Sequence, residues 1–204
     1  MGAATEQRIQ VAGQEGGPVR RATTTRGAAF AVGIVLIGAG QAGAHRAAAK
    51  DRANTFSGSC QLSGTSRFTP PLTGTPVQGS DHTTVSGPCS GSFTDRHGRT
   101  HDLSGTTVRF FAIVRGVSSC ETGLVTGSGV LTFPWGRLAF TVSEPRGPGF
   151  SALEFTGRRG GSASGTAMVS PSENPLQLSE ECAGAGIKSV ASQLAFATTP
   201  TMSG

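Results

Sequence analysis

Beyond residue 56, apolar and small residues recur at every second position, in short segments broken by proline and glycine. Cys60, Leu62, Gly64, Ser66 and Phe68 fall on one face of an extended chain, as do Val85, Gly87, Cys89, Gly91 and Phe93. Val108, Phe110, Ala112 and Val114 form the inward set of the longest predicted strand, which Phe111 and Ile113 make apolar on both faces. Leu138, Phe140 and Val142 follow, then Leu153 and Phe155, then Ala163, Gly165, Ala167 and Val169, and last Val190, Ser192, Leu194 and Phe196. A period of two places alternate side chains on opposite faces of a strand. No amphipathic helix is predicted, because Gly, Thr, Ser and Pro interrupt every candidate.

Turn signals separate the segments. They are Thr69-Pro70-Pro71-Leu72, Asp95-Arg96-His97-Gly98, Phe133-Pro134-Trp135-Gly136, Pro145 to Gly149, Arg158-Arg159-Gly160-Gly161 and Pro171 to Pro175. Proline fixes φ and glycine admits positive φ, so these residues punctuate chains for physical reasons. The pattern predicts about eight to ten antiparallel strands in an all-β domain. A sheet of that width must curl or split to protect its edges. Consecutive segments joined by short turns favour an antiparallel β-barrel, with a two-sheet β-sandwich as the alternative. The predicted organisation is a leader and signal peptide over 1–44, a flexible linker over 45–56, the barrel over 57–200 and a tail over 201–204.

The pattern before residue 45 differs. Arg20, Arg21 and Arg26 precede an apolar run from Ala28 to Ala39, which closes on the small residues Ala42-Gly43-Ala44. Basic, apolar, then small is the order of a secretory signal peptide. It predicts export and a processed chain starting near His45, with an uncleaved membrane anchor as the alternative. The run is short against the roughly 20 residues of a full span. Arg20-Arg21 hints at twin-arginine export, but Thr23 and Thr24 stand where that signal prefers large apolar residues, so the ordinary secretory route is expected. Gly38-Ala39-Gly40-Gln41-Ala42-Gly43 also spells G-x-G-x-x-G. A dinucleotide site needs a second buried strand ending in an acidic residue about 20 positions on. Asn54 to Gln61 holds no acidic residue there, and no strand–helix alternation follows. No cofactor is implied.

Removing residues 1–44 from a chain of 204 leaves 160, enough for one domain with a proper core. That part carries 13 Lys plus Arg against 10 Asp plus Glu, so much of the whole-chain charge of +5 belongs to the leader. Its arginines are scattered, without a basic stripe or interleaved aromatics, which excludes nucleic acid as the expected partner. A membrane is expected only through the leader. Glycine, at 31 residues, is about twice its usual share. Regularly spaced large apolar residues still argue for a folded domain. Cys60, Cys89, Cys120 and Cys182 allow three disulfide pairings. The sequential pairing, Cys60–Cys89 and Cys120–Cys182, is favoured, because strands of a meander bring consecutive segments together.

Ser59-Cys60-Gln61-Leu62-Ser63-Gly64, Cys89-Ser90-Gly91-Ser92-Phe93, Gly161-Ser162-Ala163-Ser164-Gly165 and Cys182-Ala183-Gly184-Ala185-Gly186-Ile187 carry a resemblance. Over about residues 56–204 the chain resembles an uncharacterised family of small secreted, Gly/Ser/Thr-rich β-proteins of actinobacteria. The resemblance implies export and a shared β-rich fold. It transfers no catalytic residue.

Chemistry-bearing residues are few. Asp95, His97, His101 and Asp102 form the most polar segment and offer nitrogen and oxygen ligands for zinc. The competing reading is a solvated turn, with Asp95 as turn former and Gly98 at positive φ. Asp81 and His82 are adjacent and therefore point apart on a strand. Gly87-Pro88-Cys89-Ser90-Gly91 imitates a nucleophile elbow, but that device needs a following helix. Glu121, Glu144, Glu154 and Asp102 are the carboxylates that glycoside cleavage would draw on. Glu154 reads as an outward strand residue, and Glu180-Glu181 as a solvated loop. The chain has no Tyr and a single Trp, which weighs against a sugar-binding face.

The reading that follows is a secreted, disulfide-stabilised barrel without catalysis, acting as a binding or structural module. Its ligand would be a small apolar molecule in a barrel mouth lined by Phe110, Phe140, Phe155 and Phe196, with Trp135 as a plug; those phenylalanines read equally as core. An extracellular metal-assisted enzyme using Asp95, His97, His101 and Asp102 is the first alternative. The second is a protease-inhibitor-like protein that binds an extracellular partner through a loop at Thr69 to Gly79.

Overall fold

The structure is a computed structural model that describes residues 52–204. The predicted leader and its G-x-G-x-x-G segment lie outside the described residues. The strands are β1 (Thr55–Leu72), β2 (Val77–Thr94), β3 (Thr100–Asp102), β4 (Thr106–Ser118), β5 (Gly123–Phe133), β6 (Gly136–Gly147), β7 (Phe150–Gly157), β8 (Gly160–Val169) and β9 (Ile187–Ser203). One helix, α1 (Pro175–Ala183), lies between β8 and β9.

Each strand pairs antiparallel with its neighbour in the order β1-β9-β8-β7-β6-β5-β4-β2, and β1 pairs with β2 to close the ring. The result is a closed antiparallel β-barrel of eight strands, as the alternation predicts, while the sandwich does not form. The short β3 is an addition that pairs with one end of β2, from Ser92↔Asp102 to Thr94↔Thr100. Closure leaves none of the eight strands with a free edge along its length.

Alternation sets the inside of the barrel. Phe56, Leu62, Phe110, Phe140, Phe155, Phe196 and Met202 are all buried. The phenylalanines form one continuous row of ring contacts: Phe110 lies 5.2 Å from Phe140, Phe140 5.3 Å from Phe155, and Phe155 5.3 Å from Phe196. Phe56, Phe93 and Phe133 extend it toward the chain ends, with Phe93 and Phe133 stacked at 4.4 Å. Burying such a ring contributes roughly 1.5–3 kcal/mol, so this row is the main apolar contribution to the fold. Phe56 and Met202 are fully buried inside β1 and β9. The barrel thus takes in positions that the sequence pattern assigns to the linker and the tail.

Two elements depart from the predicted pattern. The alternation does not mark β5, whose Thr126-Gly127-Ser128-Gly129 carries no large apolar residue. Those glycines serve close approach instead: a Cβ on Gly127 would meet the Ile113 carbonyl oxygen at 2.0 Å, and one on Gly129 would meet the Phe140 ring at 2.5 Å. Helix α1 is the second departure. The turn signal Pro171 to Pro175 is a helix start, with the Asn174 side chain accepting from the Leu176 N–H at 3.0 Å and Pro175 at the first helical positions. Both are standard helix-initiating devices. None of the residues of α1 is buried, so the helix carries no apolar periodicity for a sequence reading to find.

Both disulfides adopt the sequential pairing, Cys60–Cys89 and Cys120–Cys182. Cys60 and Cys89 face each other across the β1–β2 seam that closes the barrel. Cys182 lies in α1 and Cys120 in the turn between β4 and β5, so the second bond ties the helix to the barrel rim.

Candidate functional site

The two ends of the barrel differ. At one end lie the β2–β3, β5–β6 and β7–β8 turns together with the termini of β1 and β9. Here the predicted metal segment folds as a turn. Asp95 Oδ1 accepts from the backbone N–H groups of His97 at 2.8 Å and Arg99 at 3.0 Å, and Oδ2 lies 3.4 Å from His101 Nε2. The Arg99 bond, followed by the His101 and His97 contacts, holds the Asp95 carboxyl below the usual carboxylate range. Asp102 is lowered by the Ser104 backbone and hydroxyl, which both donate to Oδ1. The carboxylates are thus engaged in turn formation. Among the described residues no group of three His, Cys, Asp or Glu side chains is placed to hold a metal. That removes the geometric basis for the metal-assisted alternative. Trp135 stacks on His101 at 4.2 Å with planes 9° apart, covering this rim rather than a ligand mouth.

The other end is open. The β1–β2, β4–β5 and β6–β7 turns and the connection carrying α1 surround a cavity of about 990 Å³. This stands at the upper end of the roughly 300–1,000 Å³ range of small-molecule sites. Its walls combine apolar side chains, among them Phe68, Leu72, Ile187 and Val190, with a polar floor. Phe110, Phe140, Phe155, Phe196 and Trp135, predicted to line the mouth, are not part of it. The four phenylalanines pack too well on one another to leave space, and the hollow lies where small and polar residues replace them along the same inward rows.

The floor is a buried ionic cluster. Asp81 on β2 and Glu144 and Arg146 on β6 occupy inward positions, continuing the rows of Val85 and of Phe140 and Val142. Arg146 donates through a terminal guanidinium nitrogen to Asp81 Oδ2, and through Nε to Glu144 Oε1 at 2.9 Å. The side chains of Asp81, Arg146 and Glu144 are only 5%, 8% and 12% exposed. The guanidinium also lies over the Phe68 ring, 5.7 Å from its centroid. A hydroxyl chain runs from the cluster across the seam: Thr83 Oγ1 stands 3.4 Å from Asp81 Oδ1 and 2.8 Å from Ser66 Oγ, and Ser192 Oγ donates to Ser66 at 3.1 Å.

Burial pushes the Asp81 carboxyl up to about 6, against the pull of Arg146 and with the help of nearby Glu144. For Arg146, burial opposes the charge, yet Glu144 and then Asp81 keep it above its ordinary value. One guanidinium shared by two carboxylates cannot satisfy both as fully as a simple pair. A buried charge cluster that faces an open cavity is a common mark of a functional site.

Helix α1 borders the opening with Pro175, Leu178, Ser179 and Cys182. It is held by the Cys120–Cys182 bond and by Glu173, whose Oε1 accepts from the Ala191 N–H. The Thr69 to Gly79 segment is mostly strand, since β1 runs to Leu72 and β2 starts at Val77. Thr73 accepts from the Cys120 N–H at 2.9 Å, which pins the turn to the rim. His82 is exposed outside the barrel while Asp81 is buried inside, as adjacent strand residues must be. Glu154 is exposed and Cys89 is disulfide-bonded, so neither serves the chemistry weighed for it.

The sequence gives one partial signal for the site. Asp81, Glu144 and Arg146 sit in inward register, but placing them together requires knowing that β2 and β6 face each other across the barrel. Fold and site define a disulfide-stabilised, closed eight-stranded barrel with one packed end and one hollow end. No protein-family model, curated protein or solved structure matches this chain significantly.

Proposed function

We propose that this chain is a non-catalytic binding module that works outside the cytoplasm and takes a small molecule with an apolar body into the open end of its barrel. The cavity of about 990 Å³ carries this reading. It has a wide apolar wall, a compact polar floor and access from one end, the features of a small-molecule pocket. The two disulfides support an oxidising compartment, and so does the signal-like segment before His45. The resemblance to secreted actinobacterial β-proteins points the same way.

The test uses N-phenyl-1-naphthylamine, a neutral probe that brightens in apolar surroundings. Its fluorescence should rise and saturate near one equivalent of the oxidised full-length chain. Ala167 points into the cavity, so Ala167→Trp should crowd its apolar wall and reduce probe affinity several-fold. Binding unaffected by this substitution, in a variant with unchanged circular dichroism, would place the probe elsewhere and remove the basis for the proposal.

A further inference from the structure

The cavity is far more acidic than the protein around it. Asp81, Glu121, Glu144 and Glu173 line it against the single guanidinium of Arg146, in a domain that otherwise carries slightly more basic than acidic residues. Arg146 is not free to receive an anion, because Asp81 and Glu144 both hold it and Phe68 covers its face. A ligand carboxylate on the floor would therefore meet two carboxylates with only one spent cation between them. A protonated amine meets the reverse: surplus negative charge on Asp81 and Glu144, and more at the rim from Glu121 and Glu173. Low-dielectric walls strengthen such charge complementarity relative to bulk water.

Resting on the binding reading above, we infer that the ligand is an amphipathic cation, a protonated or quaternary amine on an apolar body, whose charged head reaches the Asp81–Arg146–Glu144 floor while its body lies against the Phe68, Leu72 and Ile187 wall. The acidic floor selects by charge, and the wall supplies affinity without direction.

Three probes with one tail separate charge from burial: decylammonium, decanol and decanoate, each titrated calorimetrically into the oxidised full-length chain. Decylammonium should bind at least about tenfold tighter than decanoate, with decanol between them. Asp81→Asn should narrow that preference several-fold. Because changes on the buried floor can disturb folding, the Glu121→Gln chain provides a second measurement at the exposed rim. It too should weaken decylammonium, by about two- to fivefold, and leave decanol alone. Equal binding of all three probes, or tighter binding of decanoate, overturns the charge inference and leaves the binding reading standing. Binding of none of the three overturns both.

Discussion

Asp81 shows how one position can be set by its surroundings against its chemistry. Its carboxyl titrates near 6 in the fold, against 3.8 for the free group, chiefly because it is buried. The folded state therefore holds the proton more tightly than the unfolded state does. The stability from this group is complete below about pH 4 and is lost as pH rises through about 6. Asp81→Asn mimics the protonated acid and keeps an oxygen to accept from Arg146. The substitution should leave stability nearly unchanged at pH 4 and raise it by about 2 kcal/mol at pH 8. Urea unfolding at the two pH values measures the difference, and a gain that appears only in acid contradicts the assignment. In the sequence, Asp81 is legible as an inward residue by its register with Val85. Its perturbation is not, since Glu144 and Arg146 are more than 60 positions away along the chain.

At the scale of elements, β5 and α1 are the informative cases. Strand β5 is made of Gly, Thr and Ser as much as of apolar residues, and its middle lacks the large alternating residues of the other strands. It is a strand because β4 and β6 pair with it along nearly its whole length. Gly127 sits where the β4 backbone comes within 2.0 Å of an added Cβ. Gly127→Val, favourable by strand propensity, should therefore destabilise the barrel by about 3 kcal/mol or more, read as a drop in the midpoint of denaturant unfolding. A neutral or stabilising result would mean that β4 and β5 can move apart. Helix α1 is local in origin, with an Asn174 cap and Pro175 at its start, but its position is not. The Cys120–Cys182 bond brings it to the rim from a partner 62 residues away.

At the scale of the molecule, the barrel divides its interior by residue size. Phenylalanine rows fill one end, and where the same rows pass to Ser66, Asp81, Glu144, Ser151 and Ser192 the inside stays hollow or polar. Closure makes this arrangement stable, because it removes the edges that an eight-stranded sheet would expose. The location of the working protein belongs to this scale too. Produced in a host that secretes proteins, the chain should appear outside the cell with an amino terminus near His45 and no free thiols. Terminal sequencing and thiol titration check this, and retention of the leader with reduced cysteines would contradict it. The sequence by itself determined the strand periodicity, most of the turns and the all-β class. All of these follow from local dihedral preference and short-range order. Only the tertiary structure decided that the ring closes through β1 and β2, that the phenylalanines are packing rather than lining, and that two carboxylates share one guanidinium beneath an open cavity. The physical reason is that these relations join residues far apart in the chain. Alternation fixes which face a side chain takes, while closure and burial fix what it meets there.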